Sequence, residues 1–267
     1  MRGCGILLAL VLALAASACV GSEPTAERAP QEAIVLAASK TNEAGTYKAD
    51  ISGTVDALGQ SVKLSGTGEF DGTEKRGNMT MTTSVAGQDI DTDVVYAFPV
   101  MYMRFPPGLL PGLSAEKPWV KIDLEQLGER AGFGSVELMQ SQQQADPSQG
   151  LKYLEGISEV QAVGDEDIRG VPTTHYKGVV DLNALAEKNP ELKPSLDKLT
   201  EQAGISRIPM EAWVDHDGFV RQIKETFDTG GATTSMTIQL YDFGTNVDVS
   251  PPSDNETVDL AQVIGQS

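Results

Sequence analysis

From Tyr47 to Phe105 the chain alternates in character at every second residue. Tyr47, Ala49, Ile51, Gly53 and Val55 alternate with Lys48, Asp50, Ser52 and Thr54. Val62, Leu64, Gly66, Gly68 and Phe70 are interleaved with Lys63, Ser65, Thr67 and Glu69, and Asp71-Gly72 follows as a hairpin signal. The pattern repeats with Met79, Met81, Thr83 and Val85, then with Ile90, Thr92, Val94 and Tyr96 against Asp89, Asp91 and Asp93. A fifth run sets Met101, Met103 and Phe105 against Tyr102 and Arg104. Successive side chains of a strand point to opposite faces of the sheet, so a period of two selects strands and excludes helix. Five such runs joined by short turns form an antiparallel meander with one wet face and one buried face.

The remaining segments surround this meander with helices and further strands. Residues 31–44 read as a helix that buries Ile34, Ala37 and Ala38 together with Ala33 and Thr41, and Gly45 ends it. Residues 106–118 are loop, and Trp119–Leu124 is a strand. Residues 125–156 read as short helices broken at Gly132, Gly134 and Pro147. Strands are expected over 159–163 and 173–182, and a helix over 182–203 interrupted at Pro190 and Pro194. A hairpin over 209–228 turns at Asp215-His216-Asp217-Gly218, and 235–243 is the last strand expected. Residues 250–267 read as a flexible tail with at most one short helix. The fold class is therefore α+β: a curved antiparallel β-sheet with helices packed on its concave side.

The amino terminus carries an address. Arg2 precedes an apolar run from Ile6 to Ala15, then Ala16-Ser17-Ala18 and Cys19. The run suits a signal sequence and is too short to span a bilayer as a permanent helix. Small residues before a cysteine suit a lipoprotein signal peptidase. Residues 1–18 are thus expected to be a signal peptide, and 19–30 a tether lipidated with diacylglycerol and palmitate on Cys19. The alternative from the residues is an ordinary secretory signal that releases a free protein. Only Cys4 and Cys19 are present, so the mature chain can form no internal disulfide.

Charge and motifs narrow the function. The formal charge is −18, and loss of Arg2 makes the mature chain one unit more negative, which argues against nucleic acid as a partner. The two histidines, His175 and His216, read as structural or exposed. No GxSxG, HExxH, Walker A or GxGxxG motif occurs, so no enzyme, cofactor or metal site is expected. Asp89, Asp91 and Asp93 share a strand face, which favours solvent over calcium. The 215–218 turn lacks the spacing of a calcium loop.

The buried face of the meander is the informative signal. Leu64, Phe70, Met79, Met81, Ile90, Val94, Tyr96, Met101, Met103 and Phe105 occupy it. Methionine adapts to irregular apolar shapes, so this face suits either a filled core or a lining for acyl chains. The lipobox, WVKIDL at 119–124, GVPTTHYKGVVDL at 170–182 and IPMEAWVDHDGFVRQIKETF at 208–227 together resemble the actinobacterial lipoproteins of the LppX/LprA/LprF/LprG family. They resemble the carriers LolA and LolB more remotely. The resemblance implies a half-open barrel closed by helices over residues 31–249. It also implies a cell-membrane lipoprotein on the extracytoplasmic face that binds lipid or glycolipid and carries or presents it in the envelope, without catalysis. An envelope interaction or signalling lipoprotein with a filled core, engaging a protein partner, is the alternative.

Overall fold

The computed structural model describes residues 29–57, 59–106, 108–110, 113–124, 149–190, 192–228 and 231–264. The signal, Cys19 and most of the tether lie outside the described residues, as do the helices expected between 125 and 148.

Helix α1 (Pro30–Glu43) starts on a proline, whose fixed φ suits a first turn, and carries Glu32 near its amino end and Lys40 near its carboxy end. Its buried face is Ile34, Ala37, Ala38 and Thr41. The Thr41 hydroxyl accepts the Val220 N–H at 2.8 Å and fixes the helix to the sheet.

The meander consists of β1 (Thr46–Ala57), β2 (Gln60–Asp71), β3 (Arg76–Val85), β4 (Gln88–Ala97) and β5 (Val100–Arg104), followed by β6 (Trp119–Asp123). Short helix α2 (Gln149–Tyr153) and a 3₁₀ turn (Leu154–Gly156) lead into β7 (Ile157–Ile168) and β8 (Val171–Asp181). Helices α3 (Leu182–Lys188) and α4 (Lys193–Ala203) precede β9 (Arg207–Asp215), β10 (Val220–Asp228) and β11 (Ala232–Tyr241). The chain then forms β12 (Thr257–Asp259) and α5 (Leu260–Ile264). Among the described residues twelve strands form one sheet in the order β12-β6-β5-β4-β3-β2-β1-β11-β10-β9-β8-β7. The β12–β6 pair is parallel, and the other pairs are antiparallel. The sheet is open and curved, and its helices lie on the concave side, as expected.

Several local expectations differ from the structure. Strand β7 runs to Ile168 rather than 163, because its acidic end pairs with β8 across two register shifts. Pro194 does not interrupt a helix but stands in the first turn of α4. The stretch from 250 on holds a strand as well as a short helix, and Thr257 and Val263 are buried. Tyr102, expected on the wet face, is 9% exposed. The chain after β11 crosses that face on its way to β12: Thr46 on β1 donates to the Thr245 carbonyl, and Asn78 on β3 to that of Asp248. Val247 and Val249 of the crossing segment are buried.

Candidate functional site

Strand register turns the alternating residues into rows across the inner face. Tyr47, Phe70, Gly77, Tyr96, Met101 and Ile122 are cross-strand neighbours in succession from β1 to β6. The next row is Ala49, Gly68, Met79, Val94, Met103 and Val120. A third contains Ile51, Gly66, Met81 and Thr92, and a fourth Gly53, Leu64, Thr83 and Ile90.

Of the residues singled out in the sequence, Phe70, Met79, Met81, Val94, Tyr96 and Met101 are buried in one apolar cluster, and Leu64, Met103 and Phe105 pack half-buried against it. Ile90, close to the β3–β4 turn, is half-buried and is not part of the cluster as described. Glycines of β2 and β3 make room for the larger side chains. A Cβ at Gly68 would stand 2.9 Å from the Met79 Cβ, and one at Gly77 2.5 Å from the Phe70 ring. Tyr47 and Phe70 stack with centroids 5.7 Å apart.

The fourth row continues past β1 through Met236 on β11, Glu225 on β10, Met210 on β9 and Gly178 on β8. Glu225 is a charge-bearing residue set in an apolar row, and sequence reasoning missed it. It is buried, and burial pushes its carboxyl up to about 7. An enclosed cavity of about 10 Å³ lies against it, lined also by Gly150, Ile223, Met236 and Ile238. Elsewhere, Leu64 borders a shallow groove of about 400 Å³ with Lys63 and hydroxyls that include Ser52, Ser65 and Ser84.

The outer face is polar and paired. Thr80, Thr82 and Ser84 on β3 donate to Asp93, Asp91 and Asp89 on β4, so those aspartates serve the sheet. His175 is buried, stacked on Trp213 with centroids 4.1 Å apart. Its Nδ1 lies 3.1 Å from Glu166 and its Nε2 2.7 Å from Glu211. The Trp213 indole N–H donates to Glu166 and, with the nearby His175, holds that carboxyl below its ordinary value. His175 is thus bonded and stacked between β7 and β9, and His216 is exposed in its turn. Among the described residues no group of three or more His, Cys, Asp or Glu is placed to hold a metal ion. Among them, too, no helix is long and apolar enough to cross a membrane.

An open antiparallel sheet curved around one apolar face, with helices on the concave side, defines the architectural class. Residues 131–249 match the model of the LppX_LprAFG lipoprotein family. A protein of Streptomyces griseus encoded between rplA and rplJ is 32% identical over 154 residues, covering 56% of this chain and 50% of that protein. LppX of Mycobacterium tuberculosis, provisionally named a phthiocerol dimycocerosate transporter, is 23% identical over 128 residues, covering 48% of this chain and 50% of LppX. The chain therefore spans about half the length of these relatives. Among solved structures, LprF of Mycobacterium bovis is similar at a TM-score of 0.46 and 15% identity, covering 84% of this chain and 97% of LprF.

Proposed function

We propose that the chain is a lipoprotein that binds the acyl chains of a lipid or glycolipid on the concave face of its sheet and carries or presents them in the cell envelope, without catalysis. Diacylglycerol and palmitate on Cys19 hold it to the outer side of the cell membrane, with residues 1–18 as signal, 19–30 as tether and the binding domain beginning at 31. One observation carries this reading: the inner face is a largely apolar surface of an open sheet, in which Met79 and Met81 on β3 and Met101 and Met103 on β5 flank Val94 and Tyr96 of β4. Thioethers repack around irregular apolar shapes at little cost. An acyl chain leaving one membrane for such a face exchanges one apolar medium for another, and each methylene sheltered from water contributes about 0.8 kcal/mol. The family match and the transport name of LppX support the same reading.

A second reading, an envelope interaction module with a filled core, has its own support. Met79 and Met101 are already almost wholly buried among protein side chains. Titration of the soluble Cys19→Ala chain with cis-parinaric acid separates the two. Saturable fluorescence enhancement with one site per chain is expected for the carrier. Enhancement that stays linear with probe concentration contradicts it and leaves the interaction module.

A further inference from the structure

Glu225 is out of keeping with its surroundings. Its strand neighbours on the same face are Ile223 and Phe227. Its cross-strand neighbours are Met210 and Met236. Helix α2 stands over the cavity beside it and contributes Gly150, which has no side chain to offer. A Cβ at Gly150 would meet only the Ile223 and Ile238 methyl groups, at 3.5 and 3.9 Å. Among the described residues Glu225 has no hydrogen bond or ion pair, although it is 7% exposed. An unsatisfied buried carboxyl costs stability and calls for an explanation.

Two ordinary explanations fail. Among the described residues no charged group pairs with it, and burial is what displaces the titration of this carboxyl. A bound water does not resolve the deficit either. The adjacent cavity has room for about one, but a buried water needs two to four polar partners, and among the described residues Glu225 is the only polar side chain in its lining.

We infer that Glu225 is the polar anchor of the acyl-binding face, taking the ester carbonyl or hydroxyl that joins a bound acyl chain to its head group. The inference rests on the acyl-binding reading above and names the part of the ligand that reading leaves open. A neutral carboxyl offers one O–H donor and a carbonyl acceptor, the pair that complements an ester or an alcohol in an apolar medium. The row leading to it, Leu64, Gly53 and Met236, is apolar or empty of side chain, as an acyl chain requires. Met236 is half-buried and deformable, so the small cavity can widen by rotamer change. Thr234, next on the same face of β11, adds a buried hydroxyl on the side of Phe227.

The test compares a ligand that has the polar group with a probe that lacks it. Diphenylhexatriene, a pure hydrocarbon, reports the apolar face, and 1-monolauroylglycerol displaces it. Glu225→Leu and Glu225→Met both remove the anchor, so a folding defect in one leaves the other to decide, and Glu225→Gln keeps a donor and an acceptor. The expected result is unchanged diphenylhexatriene affinity in all variants, with monolauroylglycerol affinity about tenfold weaker in the Leu and Met variants and restored in Gln. Equal monolauroylglycerol affinity in parent, Leu and Met, with the hydrocarbon still bound, overturns the anchor alone. A parent chain that binds no diphenylhexatriene overturns the acyl-binding reading, and the anchor with it.

Discussion

Gly68 on β2 lies directly opposite Met79 on β3, and the methionine fills the space a side chain at 68 would need. A Cβ there would also stand 2.4 Å from the Asn78 carbonyl oxygen, a backbone atom that cannot rotate away. Gly68→Ala is therefore expected to cost about 1–3 kcal/mol by forced displacement of packed strands. Gly66→Ala, whose nearest obstacles begin at 3.0 Å, should cost less. Denaturant midpoints of the two variants beside the parent check the order.

Asp215 closes the β9–β10 turn. Its carboxylate accepts the Phe219 N–H at 2.8 Å and pairs with Arg221 at 2.5 Å, and the two side chains are only 2% and 18% exposed. Removing one partner of a buried pair strands the other charge, so Asp215→Ala should lose about 3–5 kcal/mol. Thermal unfolding that is unmoved by this change would mean Arg221 finds other compensation, and its stacking on Phe243 is the candidate.

How much of this was legible in the sequence follows from which forces are local. The first five strands were legible, because the parity of Tyr47, Phe70, Met79, Val94 and Met101 is imposed by burial of one face along each strand. Tyr102 was not, because its own strand gives it the parity of the wet face, and the segment that crosses that face lies more than a hundred residues later. Strand β12 escaped notice because three residues carry no period, and it forms only by pairing with β6. Glu225 left a signal that went unread: it has the parity of Ile223 and Phe227, which places a carboxyl on the inner face. The bonds of His175 to Glu166 and Glu211 depend on the register of three strands, and no local pattern contains that register.

Glu225 also fixes a pH dependence. Its carboxyl titrates at about 7 in the fold and near 4.5 when exposed. The fold therefore holds the proton more tightly than the unfolded chain does. This contribution to stability is complete below pH 4.5, is lost as pH rises towards 7, and is absent above it. Relative to Glu225→Gln, the parent should lose about 3 kcal/mol between pH 4.5 and 7.5. Denaturant midpoints of both chains at pH 5 and pH 8 test this; parallel pH profiles would contradict it.

The anchor is tested by cell fractionation. Cys19→Ala should leave the membrane fraction for the soluble envelope fraction, since stable attachment requires more than one acyl chain. A variant that sediments with membranes as fully as the parent would locate the attachment elsewhere.

Native mass spectrometry of the Cys19→Ala chain purified from its own host tests whether the concave face holds an acyl lipid, without interference from the anchor. For a lipid-holding face a mass excess equal to one acyl lipid per chain is expected, removed by Met81→Trp with the denaturant midpoint preserved. A parent that runs at its bare polypeptide mass, with Met81→Trp destabilised by about 1–3 kcal/mol as in an overpacked solid core, would contradict it.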